Sequence, residues 1–130
     1  DMEWQRKLEA AERHLIDGKH EAAREVLDRL PLEEKVTLPV LVLQLRILTA
    51  MEDWTEGERY IADLRHEEER EIRRTVARFY LARARWFTRL GLVEEANQDY
   101  WENAPHAWYW ITKEYEIDDF KFIFRERFEE

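Results

Sequence analysis

Three arginines in the second half of the chain have a spacing that could build an anion-binding surface. Arg78, Arg85 and Arg89 are separated by seven and four residues, so a helix would place them on one face. A guanidinium group binds a carboxylate or phosphate through two parallel hydrogen bonds, and a row of such groups therefore suits an anionic ligand. The alternative is that these arginines pair with nearby acids such as Glu69 and Glu71, which would make the row an ordinary solvated face.

The residue types that enzymes use for nucleophilic or metal chemistry are scarce. The chain contains neither Ser nor Cys, and no Thr has the neighbours of a recognised catalytic triad. The glycines lie too far apart for a phosphate-binding loop or a dinucleotide fingerprint. The four histidines are scattered, without the spacing of an HExxH motif: His14, His20, His66 and His106. The sequence therefore predicts a protein that is not an enzyme and that holds no metal and no cofactor.

The composition predicts one all-α domain over residues 1–130. Apolar residues make up 45% of the chain, which is enough to bury a core, and charged residues make up 39%. Leu, Ala, Glu and Arg are abundant, whereas Gly and Pro occur three times each, and this balance favours helices over strands.

The charge and hydropathy of the chain narrow the choice of partners. A formal net charge of −9 opposes binding to nucleic acid or to an anionic membrane surface. No apolar run approaches the roughly 18–20 residues of a membrane span, and residues 1–4 lack the basic and apolar regions of a signal peptide. The absence of Cys fits a reducing compartment. We therefore expect a cytoplasmic protein that binds neither nucleic acid nor a membrane.

A repeated pattern of turn and helix residues organises the sequence. A turn is followed by a bulky residue, a small residue three positions later and a large apolar residue four positions after that, in stretches that begin at Gly18, Glu52 and Gly91. The second copy keeps a helix-pair period of about 34 residues from the first, and the third copy follows after a somewhat longer interval. The small residue of each copy allows two helices to approach closely, which predicts tight helix crossings at Ala23, Gly57 and Ala96.

This pattern predicts three helix pairs, at about 3–30, 38–66 and 70–104. The predicted helices span residues 3–17, 21–30, 38–51, 55–66, 70–90 and 94–104. The break near 66–70 follows from the period alone, because that segment has neither Gly nor Pro, and one continuous helix there is the alternative.

The residues Gly18-x-His20-x-x-Ala23, the weaker copy from Glu52, and Leu90-Gly91-x-Val93-Glu-Glu-Ala96 resemble the tetratricopeptide repeat (TPR) family. The resemblance covers about three repeats over residues 3–105. It implies an α-solenoid of antiparallel helix pairs whose first helices line a concave groove for a peptide or partner protein, as in an adaptor, scaffold or chaperone-like module. Pentatricopeptide repeats have similar lengths but bind RNA, which the acidic balance of this chain disfavours.

The resemblance also implies which residues line the groove. The family register places these residues on its concave side: Leu8, Glu12, Val42, Arg46, Arg78, Leu81, Arg85 and Arg89. Four of the eight are arginines, so the expected partner is a protein or peptide, for which an acidic segment is one candidate. Some relatives grip a C-terminal carboxylate with Lys, Arg and Asn residues, but only Arg78 fits that set here.

Aromatic residues crowd the C-terminal segment, 106–130. Phe120, Phe124 and Phe128 recur at helical spacing, which predicts a capping helix at 118–129, whereas the alternation of Phe120, Phe122 and Phe124 leaves a strand as the alternative. Such a segment can cover the open end of a solenoid. It can instead form a second interface through Trp108, Trp110 and Phe122, which leaves the chain as a monomer or a weak homodimer.

Overall fold

A computed structural model of the protein describes residues 2–99. The chain divides into two compact units, Asp1–Glu67 and Glu68–Glu130, and each is described by itself. Within residues 2–99 the structure contains seven α-helices and no strand, which confirms the predicted all-helical class for this part of the chain.

Five helices form the described part of the first unit. They are α1 (Met2–Ile16), α2 (His20–Asp28), α3 (Leu32–Lys35), α4 (Leu38–Ala50) and α5 (Trp54–Leu64). Helix α1 packs on α2, α4 packs on α5, and both α1 and α2 contact α4. The core cluster of this unit consists of Ala11, Ala23, Leu27, Leu30, Val40, Leu43 and Ile47. The short helix α3, which follows Pro31, has no counterpart in the sequence analysis.

Two helices form the described part of the second unit. They are α6 (Arg70–Arg89) and α7 (Val93–Gln98), and they pack on each other. Helix α5 ends at Leu64 and α6 begins at Arg70, so the predicted break near 66–70 is confirmed and the continuous helix is excluded.

The helix ends recur at the intervals found in the sequence. The first helices of the three pairs end at Ile16, Ala50 and Arg89, and the second helices begin at His20, Trp54 and Val93. From the first pair to the second, the helix ends and the helix starts are shifted by the same number of residues as the turns at Gly18 and Glu52. From the second pair to the third, they are shifted by the same number as the turns at Glu52 and Gly91. The helix boundaries thus keep the register that the turn residues predict.

Each hairpin turn depends on one residue in the left-handed backbone region. These residues are Gly18 with φ of 79°, Glu52 with φ of 57° and Gly91 with φ of 77°. The residue that follows each of them donates its backbone N–H to a carbonyl of the preceding helix, as in a Schellman cap. The N···O distances are 2.8 Å from Lys19 to His14, 3.0 Å from Asp53 to Leu48 and 2.9 Å from Leu92 to Phe87. The turn thereby satisfies carbonyls that the end of a helix would otherwise leave without partners.

Substitutions at these turns are expected to change the free energy of unfolding in opposite directions. A Cβ added at Gly18 or Gly91 meets nothing within 4 Å, so Ala at either position adds backbone strain alone. We expect each replacement to cost about 1 kcal/mol, measured by urea unfolding. Glu52 already bears that strain, and Glu52→Gly is expected to be more stable than Glu52→Ala by about the same amount. The Ala variant is the control because it removes the same side chain and keeps the Cβ.

The three small residues at the predicted helix crossings are all buried. Ala23 is 0% exposed and Ala96 is 3% exposed, and Gly57 belongs to the buried residues of α5. Leu27, four positions after Ala23, is 0% exposed, and Ile61, four positions after Gly57, is 1% exposed. Burial therefore recurs with the repeat.

Among the described residues, no helix has both the length and the apolar character needed to cross a membrane. The predicted helix at 118–129, its strand alternative and the aromatic cap at 106–130 lie outside the described residues.

Candidate functional site

The predicted row of arginines lies along α6. The buried side of this helix includes Ile72, Thr75 and Phe79. Arg78 is half-buried, with 37% of its side chain exposed, whereas Arg85 and Arg89 are exposed.

Two more charged residues share this side of α6. Arg74 lies one turn before Arg78, and Glu71 lies two turns before it, so all belong to one face. Glu71 is 3.8 Å from the guanidinium of Arg78 and 3.9 Å from that of Arg74, measured between Oε and Nη1 atoms. The predicted pairing of Arg78 with Glu71 is therefore present, and partly exposed pairs of this kind contribute about 0–1 kcal/mol.

We call this surface the α6 arginine face, and it consists of Glu71, Arg74, Arg78, Arg85 and Arg89. Four arginines and one glutamate give it a formal charge of +3, in a chain of net charge −9. Arg74 was missed by the sequence analysis, although its position four residues before Arg78 is a detectable signal.

In the first unit, the structure brings two of the predicted groove residues together. Arg46 on α4 donates to the carboxylate of Glu12 on α1 at 2.9 Å, and both side chains are partly exposed. The two residues are 34 positions apart, which is also the interval between the turns at Gly18 and Glu52. Glu12 neutralises Arg46 locally, so Arg46 contributes less positive charge to a groove than its residue type predicts.

The apolar groove residues differ in exposure. Leu8 is half-buried and packs against the core cluster of the first unit, and Val42 is also half-buried. Leu81 on α6 is only 1% exposed, so its side chain belongs to the buried side of that helix. The candidate surface therefore leaves out Leu81.

A buried ion pair joins α6 to the residue that follows α7. Arg83 donates from Nε and Nη2 to the two carboxylate oxygens of Asp99, each at 2.8 Å. Asp99 has 2% of its side chain exposed and Arg83 has 13%. The guanidinium carbon also lies 5.2, 5.5 and 5.9 Å from the ring centroids of Phe79, Tyr80 and Phe87. Because its bidentate capacity is already used, Arg83 is a packing residue rather than a ligand-binding one.

Neither Arg83 nor Asp99 stands out in the sequence as a functional residue. Arg83 is one of several arginines in α6, and its distinction is that an aspartate 16 residues later reaches it. Nothing in the local sequence marks that contact.

A second polar cluster lies where α2, α4 and α5 meet. The buried Gln44 donates from Nε2 to Asp28 at 3.1 Å, and Arg24 approaches the same carboxylate at 3.9 Å. Burial raises the pKa of the Tyr60 phenol above its ordinary value, and the negative charge of Glu56 raises it further. The phenol therefore stays neutral at physiological pH.

Among the described residues, no group of three or more His, Asp or Glu side chains is arranged to hold a metal ion. The predicted second interface, Trp108, Trp110 and Phe122, lies outside the described residues and stays a prediction.

A scan against protein-family models, a search of curated proteins and a search of solved structures each found no match. The resemblance to TPR repeats therefore rests on the sequence pattern quoted above.

Proposed function

We propose that the protein is a TPR-like helical-repeat module that binds an acidic segment of a partner protein or peptide through the α6 arginine face. In this proposal the chain is an adaptor, scaffold or chaperone-like protein without catalytic activity. The observation that supports the proposal is the grouping of four arginines on one face of α6, in a chain of net charge −9.

The recurrence of helix ends supports the repeat part of the proposal. In the first two helix pairs, the end of the first helix (Ile16 and Ala50) and the start of the second helix (His20 and Trp54) recur at an interval of about 34 residues, which is the length of the TPR unit. The equivalent positions Ala11, Leu45 and Ala84 are each 0% exposed, as repeated packing of one helix face requires.

The placement of the arginines supports an acidic partner. The net charge of the protein acts mainly on the long-range approach of a ligand, whereas contact geometry depends on the charges within about one Debye length, roughly 8 Å at physiological salt. Arg85 lies about two turns of α6 after Arg78, and Arg89 lies about one turn after Arg85, which suits a peptide that offers several carboxylates.

Reversing two charges of this face should abolish binding without unfolding the protein. The probe is a fluorescently labelled peptide rich in Asp and Glu, with a Gln- and Asn-rich peptide of the same length as the neutral comparison. We expect the parent to bind the acidic peptide and Arg78→Glu/Arg85→Glu to bind it at least about tenfold more weakly, which corresponds to about 1.4 kcal/mol. Fluorescence anisotropy measures both affinities, which should also fall as salt is added.

The matched control is Arg29→Glu/Arg59→Glu, which makes the same change in net charge elsewhere. Both side chains are highly exposed, at 76% and 77%, and their pairs with Glu25 and Glu56 are local to their own helices. This control should bind the acidic peptide nearly as well as the parent does. Equal affinities for the parent and the Arg78/Arg85 variant, with helical circular dichroism retained, would exclude the arginine face and leave the aromatic segment 106–130 as the better candidate surface.

The alternative function is structural self-assembly through that aromatic segment. The feature that favours it is the concentration of Trp, Tyr and Phe after residue 99, since aromatic residues are enriched at interface anchors. Replacing Trp108 and Trp110 together with Ala separates the two functions: loss of a dimer with peptide binding intact would favour assembly through the aromatic segment.

A further inference from the structure

The solvent side of α1 carries four charged residues in alternating order. Arg6, Glu9, Arg13 and Asp17 are exposed and follow each other at intervals of three or four, with the small residue Ala10 among them. We call this surface the outer α1 face. The opposite side of the helix packs into the core of the first unit through its apolar residues: Trp4, Leu8, Ala11 and Leu15.

The equivalent face of α4 shows how this face of a first helix packs in the second helix pair. The same offset that relates Glu12 to Arg46 takes Arg6, Glu9, Ala10 and Arg13 to Val40, Leu43, Gln44 and Ile47. All four α4 residues are buried, and α4 packs there on α2 of the preceding helix pair. Gln44 also bonds to Asp28 at the end of α2. This is therefore the face on which one helix pair receives another.

The same position in α1 remains exposed. Ile16 is 73% exposed at its C-terminal end, and it lines a surface depression together with Arg6, Glu9, Ala10, Arg13, Asp17 and Glu12, whose carboxylate is bound to Arg46. A face with the position of a stacking surface, but with charged residues in place of apolar ones, favours a charged partner over an apolar one.

The charges of this face are complementary to themselves. If two copies of α1 lie antiparallel about a two-fold axis level with Ala11 and Glu12, Arg6 faces Asp17 of the second copy and Glu9 faces its Arg13. The two-fold repeats both contacts, which gives four opposite-charge pairs and no facing like-charge pair among these four residues. The small side chain of Ala10 near the axis permits a close helix approach.

Within the part of the chain that the structure describes, these four side chains form no ion pair with one another. Glu9 and Arg13, like Arg13 and Asp17, have the i,i+4 spacing at which helix residues pair, yet among the described residues neither pair approaches within 4.0 Å. Elsewhere on α1, Lys7 and Glu3 do pair at this spacing, at 3.7 Å. The charges of the outer α1 face are therefore available to a second molecule.

We propose that the outer α1 face is a self-association surface on which a second copy of the chain docks antiparallel. The contact is small: a helix of 15 residues is about 22 Å long and offers a strip of roughly 200–350 Å², below the ~800 Å² per partner of a stable interface. The dimer is therefore weak and sensitive to salt. It is independent of the α6 arginine face, so failure of either proposal leaves the other in place.

Charge exchange between two variants tests this proposal. Arg6→Glu/Arg13→Glu makes the face wholly acidic, and Glu9→Arg/Asp17→Arg makes it wholly basic. By sedimentation velocity at about 0.05 M salt and ~10 µM to 1 mM protein, the parent should form a dimer that weakens at about 0.5 M salt, and each variant alone should dimerise at least tenfold more weakly. An equimolar mixture of the two variants should restore the dimer.

The net charges of the two variants exclude attraction between oppositely charged proteins as the cause of a dimer in the mixture. Each substitution changes the charge by two, so the acidic variant has a net charge of −13 and the basic variant −5, from −9 in the parent. Both remain negative, so attraction between them must come from the exchanged face. Circular dichroism and thermal unfolding check that each variant is folded.

Three outcomes would overturn the proposal. The parent could stay monomeric over the whole concentration range at low salt. Either folded variant could dimerise as tightly as the parent, which would locate self-association elsewhere, for example in segment 106–130. The mixture of folded variants could fail to form a heterodimer, which would show that the alternating charges do not direct docking.

Discussion

Replacing Asp99 with Ala should lower the free energy of unfolding by about 3–5 kcal/mol, because it leaves the guanidinium of Arg83 buried without its carboxylate. Asp99 accepts two hydrogen bonds from Arg83, each at 2.8 Å, and is almost completely buried. Removing one partner of a buried ion pair is costly because the remaining charge loses a hydrogen-bond acceptor that water does not readily replace in a poorly hydrated site. Chemical denaturation of the parent and the variant measures the loss.

The control is a double variant that removes both charges. Arg83→Met/Asp99→Leu replaces the ion pair with apolar side chains of similar size and should be more stable than Asp99→Ala. A cycle with the single variants then gives the coupling between the two residues. If Asp99→Ala costs less than about 1 kcal/mol, the pair does not hold the end of α7 against α6 in solution.

Truncating the repeated core position should lower the free energy of unfolding by about 2–5 kcal/mol at each of two equivalent sites in successive repeats. Leu27 on α2 and Ile61 on α5 are 0% and 1% exposed, and each is the large apolar residue four positions after a small one. Leu27→Ala and Ile61→Ala each remove buried methyl and methylene groups and leave a cavity that close packing cannot fill. Denaturant unfolding of the two variants provides the comparison.

Leu32→Ala is the matched control for this pair of variants. Leu32 lies on α3, between α2 and α4, and is 75% exposed. Its replacement should change the free energy of unfolding by no more than about 0.5 kcal/mol. A cost at Leu27 or Ile61 as small as the cost at Leu32 would contradict the repeat register.

The arginines of α6 divide into two roles that residue type does not distinguish. Arg83 is 13% exposed and bound to Asp99, so we expect its substitution to act on stability. Arg78 and Arg85 lie on the charged side of the same helix, so we expect their reversal to act on binding. Measuring both quantities for each variant separates the packing role from the binding role.

The sequence by itself determined the helical class and the places at which the helices of the described residues end and begin at the three turns. Both follow from local rules: the helical periodicity sets which side chains share a face, and a left-handed residue follows the first helix of each pair. The turn at Glu52 contains no glycine, but it could still be predicted. Glu52 has the same position in the second copy of the pattern as Gly18 has in the first. The row of Arg78, Arg85 and Arg89 was found in the same way, because helical periodicity alone places them together.

Only the tertiary structure decided which of the charged and apolar residues are available to a partner. Arg46 is bound to Glu12 across 34 residues, Arg83 to Asp99 across 16, and Leu81 is buried although the family register places it in the groove. No local pattern encodes these outcomes, because the state of a side chain depends on which group from another helix reaches it. Burial and ion pairing are properties of packed helices, whereas periodicity and turns are properties of single ones.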